Sequence, residues 1–363
     1  MKGLYVHIPF CEYICHYCDF VKRIPKNEEM VNTYIDSLIK EINLYKNHFQ
    51  TIETIYIGGG TPSMLSIYQM EKLFDALKDI HPIEYTIEVN PDSYTKEKGL
   101  LFKKYGINRV SLGVQTFNQE LLHYLNRKHS NQEVYDTVAH LKEIGIKQIS
   151  IDLIFAIPGQ TLKDLEVDLK KIIELDITHV SCYSLILEEK TYFYHQYLQG
   201  NFEKMDEDTE AIMYEKVIKY LSRHGYHQYE ISNFSRFNHE SKHNTIYWSL
   251  DPYIGVGLGA HGFIDGYRTY NEYEMSKYLD HFQKEKTWQT KEILIQDELI
   301  FGLRKMQGVC IADIEKKYEI DIFKMYPNLK EKLNIGLVTL ENGYLKLTKK
   351  GTLLGNQVFM VFI

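Results

Sequence analysis

Up to about residue 187 the chain alternates between two patterns. Short apolar runs rich in β-branched and aromatic residues are each followed by a longer run with apolar positions three to four residues apart. Residues 4–8 read as the first strand and 31–45 as its helix, with Ile35, Leu38, Ile39 and Ile42 on one face. Residues 54–57 read as the second strand, and Ser66 stands where an N-cap belongs for a helix running to about Ile80. Strands follow at 85–89, 109–113, 148–154 and 180–187. Between them, helices are expected at 94–105, from Asn118, at 131–144 and at 162–175. Such alternation predicts a parallel sheet with right-handed crossovers. Six units could close partly into a barrel or lie open as a doubly wound sheet, and periodicity does not separate the two.

After about Ser276 the pattern changes. Residues 278–290 are polar and lysine-containing and read as a linker helix. Residues 292–306 and 311–318 read as amphipathic helices, and 337–347 as a hairpin around Asn342-Gly343. Helices followed by a hairpin predict a small winged-helix-like α+β domain. The acidic stretch 206–210 reads as a solvated helix start.

Composition narrows the class without redirecting it. The chain has 363 residues, 44% hydrophobic and 25% charged, as expected for a globular protein with a sizeable core. A net charge of −7 argues against a broad nucleic-acid-binding surface. No apolar run is long enough to span a membrane, which leaves peripheral membrane contact open, and residues 1–8 lack the pattern of a signal peptide. A reducing cytoplasm is therefore expected. The 29 tyrosines and 17 phenylalanines could suit a planar ligand, although aromatic cores are the commoner use.

Glycines and polar groups gather just after the strands, where parallel α/β folds place their sites. Cys11, Cys15 and Cys18, spaced C-x3-C-x2-C, follow the first strand. Gly58-Gly59-Gly60-Thr61-Pro62 follows the second, Glu88-Val-Asn-Pro ends the third, Gln115 follows the fourth, and Asp152 lies in the fifth. Three thiolates in one short loop can hold an iron–sulfur cluster, which usually takes four cysteines, so one iron of a cube would keep an open position. A structural zinc site using these cysteines with His7 or His16 is the alternative, but no second ligand pair follows. Cys182 and Cys310 read as plain buried thiols.

The cysteine run resembles the radical S-adenosylmethionine (SAM) superfamily. That resemblance implies a partial (β/α)6 barrel, a [4Fe-4S] cluster on Cys11, Cys15 and Cys18, and SAM chelating the open iron. It further implies SAM contacts from Tyr5, Tyr17, Gly59, Gly60, Thr61, Glu88, Gln115, Arg127 and Asp152. Taken with Tyr5-Val-His-Ile-Pro-Phe, Gly-Val-Gln-Thr-Phe and the Asp-Leu-Ile strand, the chain resembles the coproporphyrinogen III oxidase-like branch.

Two groups within that branch compete: the oxygen-independent dehydrogenase and the HemW heme chaperones. Phe20 stands where the dehydrogenase typically carries a further cysteine, only three residues precede Leu4, and Lys242–Trp248 contains an H-N-x-x-Y-W run. These features are similar to HemW. They imply heme as ligand and heme-accepting proteins as partners, with His243, Tyr247 and Trp248 as heme contacts and His261 as a second possible ligand. The rival functions are radical decarboxylation of coproporphyrinogen III propionates and a zinc-stabilised regulator. The expected domains are a barrel over 1–235, the H-N-x-x-Y-W segment and linker over 236–290, and the winged-helix-like domain over 291–363.

Overall fold

The computed structural model describes residues 1–363. Its first six strands are β1 (Gly3–Ile8), β2 (Thr54–Gly59), β3 (Glu84–Val89), β4 (Arg109–Gln115), β5 (Gln148–Phe155) and β6 (His179–Ser184). They are parallel and lie side by side in chain order. Helices α1 (Glu28–Asn43), α2 (Ile67–Leu77), α3 (Lys96–Lys104), α4 (Gln119–Tyr124), α5 (Asn131–Glu143) and α6 (Leu162–Glu174) carry the crossovers. Local chemistry starts them where the sequence suggests. Ser66 and Gln69 form a capping box on α2, and Asn118 caps α4.

Each strand alternates between two environments. Leu4, Val6, Ile8, Ile55, Ile57, Val110, Leu112, Ile149 and Ile151 belong to a core of 56 buried residues, shared with the helices. Each fully buried Leu, Ile or Val contributes roughly 1.5–3 kcal/mol. The intervening residues are polar or aromatic and line the other face. Register sets Tyr5 opposite Tyr56, Glu88 opposite Ser111, and Asp152 opposite both Gly113 and Ser181. The lumen of the open barrel is therefore polar, and the apolar core lies outside it.

Helices α7 (Tyr192–Leu198) and α8 (Glu207–Arg223) follow; Asp206 caps α8, as its acidic stretch suggests. Short strands β7 (His227–Gln228) and β8 (Asn233–Ser235) extend one edge of the sheet beyond β6. Helix α9 (Lys242–Trp248) leads to the other edge, where β9 (Tyr253–Val256) pairs in parallel with β1. Strands β10 (His261–Ile264), β11 (Tyr267–Asn271) and β12 (Gln283–Trp288) continue from it as an antiparallel ribbon.

The expected linker helix over 278–290 is therefore corrected. Helix α10 (Met275–Asp280) is short, and the lysine-rich stretch is strand β12. All six residues of β12 are exposed, so it has no buried face to signal a strand, and pairing with β11 creates it. Charged residues on such an edge discourage further strand addition.

The C-terminal region begins with α11 (Lys291–Gly302) and has its own core of 15 buried residues. It contains β13 (Val309–Cys310), α12 (Ile311–Tyr318) and the hairpin of β14 (Val338–Glu341) and β15 (Tyr344–Leu347). Asn342 and Gly343 turn that hairpin with φ of +51° and +81°, where glycine is least strained. Cys182 is buried, whereas Cys310 is only partly so, which corrects that expectation. No helix is long and apolar enough to cross a membrane.

Candidate active site at the barrel mouth

The cysteine loop leaves β1 and is clamped at its base. The Cys11 N–H donates to Arg23 O and the Arg23 N–H to Pro9 O, at 3.0 and 2.7 Å. Phe10 is buried against the edge of Tyr34, which ties the loop to α1. All three thiols are free. Burial pushes the Cys11 thiol up despite a hydrogen bond from Thr61, and it pushes Cys18 up to about 11 despite nearby Lys22. A metal centre must therefore displace protons as it binds.

The glycine turn after β2 lies against this loop. The Gly60 N–H donates to Ile8 O, and the Thr61 N–H to Phe10 O. A Cβ on Gly60 would stand 2.6 Å from Phe10 O and 3.0 Å from Cys11 Sγ, so only glycine permits the approach. Gly59 has φ of +114°, and the His7 ring occupies the place a side chain would need. Thr61 Oγ1 lies 3.5 Å from Cys11 Sγ and accepts from Asn90 Nδ2 at 3.2 Å.

Arg127 leaves the loop after α4 and is buried. It donates to Gly113 O and to Asn90 Oδ1, and lies 3.8 Å from Cys15 Sγ. Its Nε has no protein partner. Burial opposes its charge, yet neighbouring Tyr17 and Cys15 keep it firmly protonated. Gln115 ends β4 with φ of +67°, which brings its amide beside Asn90 and Arg127 over Gly113.

Deeper in the lumen, Glu88 Oε1 accepts from Tyr56 OH at 2.7 Å and Oε2 from the Gly59 N–H at 3.0 Å. Burial pushes Glu88 up from its ordinary 4.5 to about 7. Asp152 accepts from Ser111 Oγ at 3.1 Å, and burial raises it too. Tyr5 OH meets His7 Nδ1 at 2.9 Å, and His7 Nε2 donates to Val21 O at 2.7 Å. The mouth and upper lumen thus gather Tyr5, Tyr17, Gly59, Gly60, Thr61, Glu88, Gln115, Arg127 and Asp152 around the three cysteines.

These residues fit a [4Fe-4S] cluster and SAM better than zinc. Each thiolate of a cube binds a different iron, so three thiols need not converge on one point. No three His, Cys, Asp or Glu side chains are arranged around a single metal position. Both His7 nitrogens are occupied, and His16 is bonded to Tyr124 O and stacked on Tyr192. The unpartnered Arg127 Nε beside the cysteine loop suits a carboxylate-bearing ligand.

The H-N-x-x-Y-W segment lies at the opposite end. Helix α9 plugs the floor of the barrel, where β1, β2 and β3 begin. His243 is fully buried, with Nδ1 2.7 Å from Thr54 Oγ1 and Nε2 2.8 Å from Tyr247 OH. Burial lowers its pKa to about 3, so it is neutral. Its N–H donates to Glu84, which also faces Arg109 at 3.7 Å. Trp248 packs near Phe301 and carries the Arg304 guanidinium over its ring at 4.5 Å. Of the expected heme contacts, His243 and Tyr247 have both ring nitrogens and the hydroxyl engaged within the protein, whereas the buried Trp248 Nε1 has no hydrogen-bond partner. His261 differs. It is exposed on the β10 ribbon, bonded at Nε2 to Tyr273 OH and packed edge-on to Tyr270.

Comparison with known proteins now adds to this geometry. Residues 5–172 match the model of the radical SAM superfamily, and residues 289–354 that of the HemN C-terminal domain. Heme chaperone HemW of Bacillus subtilis is 41% identical, over 100% of this chain and 99% of its own. The chain belongs to the HemW family. The HemW protein of Lactococcus lactis is 40% identical over 100% of this chain and 97% of its own, and that of Escherichia coli 34% over 73% and 71%. The solved structure of coproporphyrinogen III oxidase (HemN) from Escherichia coli superposes with a TM-score of 0.86 and 23% identity, covering 99% of this chain and 89% of that one. That likeness carries the fold: a radical SAM α/β barrel with a HemN-type C-terminal domain.

Sequence reasoning missed several site residues. Asn90 bridges Thr61 and Arg127, and Tyr56 holds Glu88; His7, weighed only as a zinc ligand, instead pins the cysteine loop. Asn90 was visible in Glu88-Val-Asn-Pro, at a strand end. Tyr56 lies mid-strand and carried no local signal.

Proposed function

We propose that this HemW-family chain is a heme chaperone that carries a [4Fe-4S] cluster and SAM and delivers heme to acceptor proteins. Cys11, Cys15 and Cys18 would hold three irons. Gly59, Gly60, Thr61, Glu88, Gln115, Arg127 and Asp152, flanked by Tyr5 and Tyr17, would surround the SAM bound at the fourth. When bound, such a cluster supplies an electron to the SAM sulfonium. This chain's residues orient the ligand: Arg127 toward its carboxylate, Glu88 and Asp152 toward donors in the lumen. The observation that carries the reading is the single mouth shared by three free thiols, the glycine approach and a buried arginine with an open N–H.

For heme, His261 replaces His243 as the candidate ligand. Although its residue surface is exposed, desolvation of the ring against Tyr270 and Tyr273, and then nearby Arg268, lower its pKa, favouring the neutral imidazole that binds iron. Tyr270 and Tyr273 flank it with aromatic surface. Phe20, 64% exposed at the end of the cysteine loop, supplies apolar surface where the dehydrogenase typically has a cysteine.

Anaerobic reconstitution followed by heme titration and a coproporphyrinogen III assay on one sample tests this. The wild type should bind iron, sulfide, SAM and heme and convert no coproporphyrinogen. Replacing Cys11, Cys15 and Cys18 by Ala should remove iron and visible absorbance while the protein stays folded. His261→Ala should change the Soret band. Turnover of coproporphyrinogen III would overturn the chaperone reading.

A further inference from the structure

Helix α9 is joined to the barrel mouth by a continuous line of polar and aromatic contacts. The line starts at Thr54, whose hydroxyl meets His243 Nδ1, while Tyr247 OH meets the other ring nitrogen. With both nitrogens engaged, the imidazole plane is fixed. Tyr56 stacks on that plane, with ring centroids 5.2 Å apart and an interplanar angle of 30°. The Tyr56 hydroxyl donates to Glu88, whose second oxygen receives the Gly59 N–H. Gly59 belongs to the turn that brings Gly60 against Cys11.

A parallel line passes through Tyr5, which lies beside Tyr56 at 6.2 Å. Its hydroxyl meets His7, and His7 donates to Val21 O at the far end of the cysteine loop. The floor of the barrel therefore supports both walls of the mouth through one layer of tyrosines. A stacked ring restricts the side chain beneath it, and an active-site carboxylate is effective only when its supporting shell fixes its position.

We infer that His243 is a positioning residue for SAM, acting through Tyr56 on Glu88 and the Gly59–Gly60 turn, rather than a ligand of heme. This rests on the proposed SAM reading of the mouth. It assigns the H-N-x-x-Y-W segment to the cofactor end of the reaction. It also predicts that changes in this segment disturb heme handling only indirectly.

The test uses the full chain, reconstituted anaerobically with iron and sulfide. Four variants are compared with the wild type: His243→Ala, His243→Gln, Tyr56→Phe and the His243→Ala/Tyr56→Phe double. SAM affinity is measured by equilibrium dialysis. The change that SAM causes in the electron paramagnetic resonance spectrum of the reduced cluster is recorded in parallel, with iron content and the Soret band of added heme. His243→Ala should weaken SAM binding about tenfold, the effect expected for disturbing a hydrogen bond to a charged group. Iron content and Soret position should match the wild type. Tyr56→Phe keeps the stack but removes the donor to Glu88, so it should weaken SAM binding by a similar factor. The double variant should be no weaker than the weaker single, because both act on one line. His243→Gln can keep polar contacts with Thr54 and Tyr247 and should recover most of the affinity.

SAM affinity within twofold of the wild type in His243→Ala, additive single effects, or a shifted Soret band in that variant would each overturn the inference alone. A wild type that holds iron but shows no response to SAM would overturn the SAM reading and this inference with it. A wild type that binds SAM but no heme would overturn the chaperone reading and leave the inference standing. Should His243→Ala not fold, Tyr56→Phe and His243→Gln decide it: undiminished SAM affinity in Tyr56→Phe is contrary to the inference.

Discussion

The two ends of the barrel use the same residue types for different ends. At the floor, Glu84, Arg109 and His243 are each at most 2% exposed; both imidazole nitrogens are engaged and Glu84 faces Arg109, whose Nη2 lacks a partner. At the mouth, Arg127 is buried yet keeps an open Nε, and three thiols stand free. Cys15 and Cys18 are only half-buried, and Glu88 is poised near neutrality. A histidine beside aromatics reads as a ligand in sequence at either end. What separates them is that the His243 ring is spent on protein partners, whereas the thiols of the half-buried mouth are left for something else.

The largest effect that would test this division is expected at the floor. Glu84→Gln leaves Arg109 buried without its counter-charge, which should destabilise the fold by about 3–5 kcal/mol. Denaturant unfolding should show a lower midpoint, while iron per folded chain after reconstitution stays at the wild-type level. Loss of iron from the folded fraction would break the division.

At the mouth the expected effect is smaller and of another kind. Arg127→Ala should weaken SAM binding about 10- to 100-fold, the range for losing a hydrogen bond to a charged group. Iron and the denaturation midpoint should change little. A collapse in stability instead would mean that the guanidinium serves Gly113 and Asn90 before any ligand.

The third test uses pH and has the gentlest effect. Burial raises Glu88 and Glu41 from 4.5 to about 7 each. Between these values the folded protein holds protons that the unfolded chain has released, so stability falls as pH rises from about 4.5 to about 7 and levels off above. Glu41 lies outside the lumen, bonded to Tyr278, Asn271 and the Gly257 N–H. Glu41→Gln should flatten part of the slope without touching SAM affinity. Glu88→Gln should flatten part of it and weaken SAM binding. A slope unchanged in both variants would place the titrating groups elsewhere.

Much of the architecture was legible because its causes are local. Six strand–helix units follow from periodicity, and Ser66, Asn118 and Asp206 cap helices where the pattern starts them. Asn342-Gly343 turns its hairpin because two adjacent residues need positive φ. The cysteine loop is also local: eight residues after one strand carry all three thiols, so their joint position hardly depends on the rest of the chain.

Tertiary structure decided everything that depends on pairing across long separations. Strand β9 joins β1 across 250 residues of register, and β12 exists only because β11 lies beside it. The clearest case is His243. Its seven-residue helix holds no sign of whether the imidazole will meet solvent, heme or protein. Thr54 and Glu84, 189 and 159 residues away, supply the partners that bury it. Sequence sets which groups a residue can offer; the fold sets which of those groups remain unpaired, and a ligand can be recognised only by those.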